Sequence, residues 1–384
     1  MIERTAIKRL KKLASTFRSV AVIGPRQSGK TTLCKTVFPN KPYISLENPD
    51  ILESIKIDPR AFLLQYKNGA IIDEIQKAPF LFSYLQQVLD ETNKRGLYIL
   101  TGSNNFLLQE NITQSLAGRI AYLQLLPFSM EELKSTKYYK ATYTSIMFRG
   151  FYPELLTKKI KPIDWYTNYI QTYVERDVRQ LKNINNYNLF YKFLRLCAGR
   201  VGSVLNLSSI ANDCGIDSKT ANSWIAILQS SFIIYLLKPY YNNYNKRLIK
   251  SHKLYFYDTG LACSLLGLEK DKQLDNFIYR GQLFENLVIM EYLKNRLNNG
   301  LQDNLYFWQD KTGNEVDLLL DGANEITAFE IKSSTTINND FFKGLTYYAN
   351  IEQKKTNLNL IYGGLQIFPK RNNISIASWT NLKL

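Results

Sequence analysis

The junction between SVAVIGP (residues 19–25) and QSGKTTLCKTVF (residues 27–38) constrains this chain more than any other feature. A short apolar run that ends on Gly and Pro reads as a strand buried on both faces, which implies a parallel sheet. Residues Gly24 to Thr31, GPRQSGKT, then match Gly-x-x-x-x-Gly-Lys-[Ser/Thr] at every fixed position. Glycines allow the backbone to turn so tightly that its N–H groups, and the N-terminus of the helix that follows, face bound phosphates. Lys30 supplies a cation for the β and γ phosphates, and Thr31 offers a hydroxyl to Mg²⁺. The expected nucleotide set is Gly24, Gln27, Ser28, Gly29, Lys30, Thr31 and Thr32, with ATP and Mg²⁺ as cofactors.

A phosphate loop that turns over its nucleotide needs an acidic strand as well. GAIIDEI at 69–75 places Asp73 at the carboxyl end of a buried run, where it can hold Mg²⁺ jointly with Thr31. Glu74 follows, placed to polarise the attacking water. GLYILTGSN at 96–104 is another buried strand that ends in small polar residues. In SLAGRIAYLQLLPFSMEEL, Arg119 precedes a last strand and could act as an arginine finger or as an internal sensor, since phosphoryl transfer usually calls on an arginine.

Composition bounds what remains. At 384 residues the chain exceeds what one core usually serves, which suggests two or three domains. It holds one histidine, His252, and four cysteines without a CxxC pair. A histidine-rich zinc site and a disulfide framework are therefore not expected, and the cysteine usage fits a cytoplasmic protein. No apolar stretch is long enough to span a bilayer, so no membrane partner is expected. The net charge of +16 divides as +6 over residues 1–135, +11 over 136–280 and −1 over 281–384. A basic middle segment suits nucleic-acid contact, although codon usage rich in Lys, Asn and Tyr would give the same excess.

From Leu207 the chain reads LSSIANDCGIDSKTANSWIAILQSS. Ser208 or Ser209 can cap a short helix that Gly215 stops. Asp217 or Ser218 can cap a second helix, in which Ala221, Trp224, Ile225 and Leu228 recur at helical spacing. These are the parts of a helix-turn-helix. FIIYLLKPYY and KLYFYD follow, with Lys246, Arg247 and Lys250 on the loop between them, as a wing would have. DNA contact through residues 200–255 is expected, or docking of protein by the same unit. Tyr240, Tyr241 and Tyr244 could stack on bases or simply pack.

In the last segment Glu285 lies on the helical RGQLFENLVIMEYLKN, and LYFWQDKTGNEVDLLL reads as a hairpin turning at Lys311 to Asn314, with Asp317 in its second strand. AFEIKSS then puts Glu330 and Lys332 on one face of a strand. An acidic strand residue followed thirteen positions later by E-x-K is the arrangement of PD-(D/E)xK nucleases. There carboxylates hold Mg²⁺ and a lysine positions water. Asp317 and the E-x-K stand among apolar neighbours, where charge is costly unless it is used.

Taken together, GPRQSGKTT, AIIDEIQ, LTGSNN, SLAGRI, LPFSMEEL, YVERDV and GQLFENLV resemble a large family of bacterial and archaeal AAA-like P-loop ATPases with a long C-terminal region. The resemblance implies an α/β protein with a RecA-like parallel sheet at 1–140, a helical linker and winged helix at 141–255, and a restriction-endonuclease-like α/β domain at 256–384. It also implies a sensor at Ser103 or Asn104 and possible homo-oligomers. The activity to expect is Mg²⁺-dependent ATP hydrolysis coupled to a module acting on DNA. The alternative is a signalling or assembly ATPase whose C-terminal region docks protein.

Overall fold

The computed structural model describes residues 2–103, 116–174, 186–240, 251–382 and 384. Its first sheet has the order β2-β3-β4-β1-β5 and is parallel throughout. The strands are β1 (Ser19–Ile23), β2 (Tyr43–Ser45), β3 (Ala70–Asp73), β4 (Tyr98–Gly102) and β5 (Ile120–Gln124). The period of two explains why the middle strands read as unbroken apolar runs. Ala21, Ile72 and Leu100 pack on one face, while Val20, Val22, Ile71 and Ile99 pack on the other. Helices α1 (Ala6–Thr16) and α2 (Lys30–Val37) cover that second face with Leu10, Leu13, Leu33 and Cys34. The lysines of α1 lie on its other side.

Parallel register brings the carboxyl ends of β1 and β3 to one edge, with β4 between them. The phosphate loop and Asp73 therefore meet there. The same register corrects the placement of Arg119. Its carbonyl accepts from Ser19 N–H at 3.2 Å, at the start of β1 and β5. A five-residue strand spans roughly 16 Å, so Arg119 stands at the opposite edge of the sheet from the loop at Gly24 to Thr31. It pairs there with exposed Asp90 at 2.5 and 2.9 Å.

In the middle of the chain, α4 (Leu207–Cys214) and α5 (Ser218–Ser230) form the two expected helices; α3 (Pro153–Thr157) precedes them. Asn206, not Ser208 or Ser209, caps α4 by accepting from Ser209 N–H. Gly215 ends α4 in the left-handed conformation at φ 80°, and Asp217 caps α5. Strands β6 (Ile234–Pro239) and β7 (Lys253–Phe256) follow as an antiparallel pair. The loop carrying Lys246, Arg247 and Lys250, with Tyr241 and Tyr244, lies outside the described residues, as do residues 175–178 of YVERDV.

The second sheet has the order β12-β11-β10-β9-β8-β6-β7. Its remaining strands are β8 (Leu305–Gln309), β9 (Glu315–Asp321), β10 (Glu325–Lys332), β11 (Lys355–Tyr362) and β12 (Ser375–Ser378). The expected hairpin is present as β8–β9, turning between Gln309 and Glu315. β6 joins β8 through Lys238–Tyr306 and Pro239–Phe307, so strands on both sides of residue 255 belong to one sheet. Helix α6 (Arg280–Asn298) is buried from Leu283 to Lys294, with Glu285, Asn286, Glu291 and Lys294 set among its apolar side chains. One cluster of buried side chains includes Leu100, Tyr152, Phe193, Leu287 and Trp379, so all three segments share a core.

Candidate functional site

The loop between β1 and α2 is shaped by what glycine permits. A Cβ at Gly24 would lie 2.1 Å from the Leu125 carbonyl oxygen, and Gly29 caps α2 at φ 93°, a conformation that disfavours side chains. Lys30 is buried, and its ammonium donates to the carbonyls of Gly24 and Pro25 at 3.0 and 2.8 Å. Burial pulls it below the usual lysine range, against the opposing pull of Glu74 and Asp73. Ser28 Oγ is buried without a partner, a donor fit for a phosphate oxygen.

Asp73 gathers hydroxyls. Thr31 Oγ donates to both its oxygens at 3.1 Å, Tyr43 donates at 2.6 Å, and Thr101 donates to Oδ1. Burial and the Asp73 carboxylate push the Tyr43 phenol well above its ordinary range, which keeps it a donor. An all-oxygen set of this kind suits a hard cation such as Mg²⁺. Glu74 takes a left-handed turn at φ 56°, ψ 46°, and its Oε2 accepts from Gln76 and, at 3.1 Å, from Ser103. Ser103 thus touches the expected base, while Asn104 lies outside the described residues.

Lys30, Thr31, Thr32, Gln27 and Glu74 line one open cavity of about 530 Å³. Residues absent from the sequence-based set line it too: Glu47, and Pro153, Glu154 and Lys158 on and beside α3. An adjoining hollow of about 490 Å³, mostly apolar, is bounded by Ile2, Ile7, Leu33, Phe128 and Pro153. Gly29, Thr32, Pro153 and Thr157 border both. No pattern in the sequence announced the α3 contribution, because it is a contact between distant segments.

Arg4 was also missed. Its guanidinium is buried, donates to the carbonyls of Ser28 (3.2 Å) and Leu126 (2.6 Å), pairs with Glu132 at 3.1 Å and lies 4.5 Å over the Phe128 ring. The segment after β5 is fastened from its other side by α6. Glu291 accepts from Met130 N–H at 2.6 Å, and Lys294 donates to the Phe128 carbonyl at 2.9 Å. LPFSMEEL is therefore a hub between the phosphate loop and the C-terminal helix.

Glu285, on the same helix, enters the second constellation. Asp317 occupies the point where β9 and β10 stop pairing, beyond Leu318–Phe329, and its Oδ2 accepts from Ile331 N–H at 2.7 Å and Lys332 at 3.2 Å. Lys332 also reaches Glu330 at 2.6 Å, so the expected shared face is present. Two further members are Glu315, two residues before Asp317, and Lys253 of β7, which lies 3.1 Å from Glu285 and also pairs with Glu315. Burial raises Glu285 to about 7 and Glu330 to about 8, with Asp317 adding to both shifts. Glu315 was legible by period two, whereas Lys253 was not, because it arrives from the preceding hairpin.

Residues 16–134 match a family model described as an AAA domain, and residues 140–272 and 280–382 match two domains of unknown function. An uncharacterized protein of Mycobacterium tuberculosis is 25% identical over 374 residues, covering 97% of this chain and 82% of its own. Another, from Methanocaldococcus jannaschii, is 24% identical over 312 residues, covering 75% and 66%. The Walker-type ATPase of Pyrococcus abyssi superposes with a TM-score of 0.48 at 15% identity, covering 69% of this chain and 96% of that one. Among the described residues no helix is long and apolar enough to cross a membrane. The AAA match spans the phosphate loop, Asp73 and Glu74 on one parallel sheet, and the chain is an ATPase.

Proposed function

We propose that ATP hydrolysis, with Mg²⁺, sets the position of the helix-turn-helix and C-terminal units, and that these act together on DNA. The observation that carries this is α3 and its flank bordering the phosphate cavity through Pro153, Glu154 and Lys158. A bound nucleotide would thereby touch the middle segment directly. In this reading the apolar hollow beside Phe128 takes the base, Lys30 and the loop amides bind the phosphates, and Glu74 takes the proton of the attacking water. Thr31 and Asp73 would hold the Mg²⁺, which neutralises charge on the phosphates.

The middle unit is read as a winged helix, with β6 and β7 as the wing, and residues 256–384 as a PD-(D/E)xK nuclease-like fold. Support comes from the helix pair broken by Gly215 and from Asp317, Glu330 and Lys332 meeting at one point. The domain limits at 140 and 255, the sensor role of Ser103 or Asn104 and the homo-oligomer belong to the same proposal. Any role for Arg119 at a nucleotide would be across a subunit interface.

Incubating the protein with ATP, Mg²⁺ or Mn²⁺ and single- or double-stranded DNA tests the reading. Cutting that disappears in Asp317→Ala supports a nuclease. Binding without cutting supports a DNA-positioning ATPase. One observation favours the protein-docking alternative: α5 carries Lys219 as its one cation, little for base readout. Absence of DNA binding at low salt would select that alternative.

A further inference from the structure

We propose that the Lys253 ammonium is the resident cation of the carboxylate centre, and that a divalent ion binds Glu285, Glu315 and Asp317 only when Lys253 withdraws. The inference rests on reading that centre as a divalent-ion site. One carboxylate oxygen from each of the three residues lies within 4.8 Å of the others, a spacing one ion can bridge. A second observation points to a ligand there: Glu330 Oε2 is buried and has no partner, although its Oε1 is held by Lys332. Glu285, Glu315, Asp317 and Glu330 face Lys253 and Lys332, and full ionisation would leave the group short of cationic charge.

Lys253 now meets part of that demand. It is 3% exposed, bonds Glu285 at 3.1 Å and pairs with Glu315, so two of the three ligands are engaged. The lysine does not belong to the β9–β10 pair that carries the acidic motif. It belongs to β7, which is tied to the approach to α4: His252 and Ser203 carbonyls accept from Leu205 and Leu254 N–H groups at 2.7 and 3.0 Å, and the Leu254 carbonyl accepts from Gly202 at 2.7 Å. β7 is bonded to α6 as well, where Asn286 both accepts from Phe256 N–H and donates to its carbonyl at 2.8 Å, so it is the Lys253 side chain that has to move for an ion to enter.

Calorimetric titration of the full chain with Mn²⁺ tests this, comparing wild type, Lys253→Met and Lys253→Arg. Mn²⁺ affinity should rise at least tenfold in Lys253→Met, stay near wild type in Lys253→Arg, and lose the gain when Asp317→Asn is added to Lys253→Met. If Lys253→Met does not fold, Lys253→Gln is compared in its place. Equal and tight binding by wild type and the neutral variant would overturn the resident-cation inference and leave the metal site standing. Absence of any Asp317-dependent binding in a folded neutral variant would overturn the metal site itself.

Discussion

Glu74 is a non-glycine residue in left-handed backbone, a conformation that costs about 1–3 kcal/mol and persists where the surroundings enforce it. Here it turns the carboxylate toward Ser103 and the phosphate cavity. Glu74→Gln should bind ATP within a few-fold of wild type and hydrolyse it roughly 10²–10⁴-fold more slowly, measured by single turnover. Turnover at the wild-type rate would remove Glu74 as the base. Lys30→Ala should lose nucleotide binding itself, read by a fluorescent ATP analogue. At this scale the sequence singled out Lys30, Thr31, Asp73 and Glu74 from chain-local patterns, and the fold brings them to one edge of the sheet. It was a poor one for Arg119, whose role depends on which end of β5 it occupies, and it gave no sign of Arg4, a cation whose partners lie 24 and 122 or more residues away.

Helix α6 carries two charged stations about 9 Å apart along its axis, Glu285 and Glu291. Glu291 and Lys294 are buried together and hold the segment after β5. Removing one partner leaves the other uncompensated, so Glu291→Ala should destabilise by about 3–5 kcal/mol in denaturant unfolding. Paired replacement of both by apolar residues should cost much less. The carboxylate centre has its own signature. Glu285 and Glu330 titrate near 7 and 8 when folded, so between about pH 4.5 and 8 the folded chain holds protons that the unfolded chain has released. Stability should therefore fall as pH rises through that window, and Glu330→Gln should flatten the dependence in thermal melts. Elements were legible where the local pattern was strong: unbroken apolar runs in β1 and β3, helical spacing in α5. The joining of β6 to β8 was not, because β pairing between residues 68 positions apart leaves no local pattern.

In the whole molecule, one core runs through three segments that composition had separated, and the hub after β5 touches both the phosphate loop and α6. DNA binding, if carried by the basic middle segment, should weaken steeply between low and moderate salt, with a shallower slope when Lys246 and Arg247 are neutralised. Segment charge is the ground for that expectation, whereas nothing in the sequence placed α3 beside the phosphate loop. Amide hydrogen exchange of Glu74→Gln with and without ATP measures that coupling most directly. Coupling predicts slowed exchange at residues 24–32, and also at 126–132, 153–158 and the turn of α6 that bears Glu291. Protection confined to the phosphate loop and residues 70–75 would contradict it.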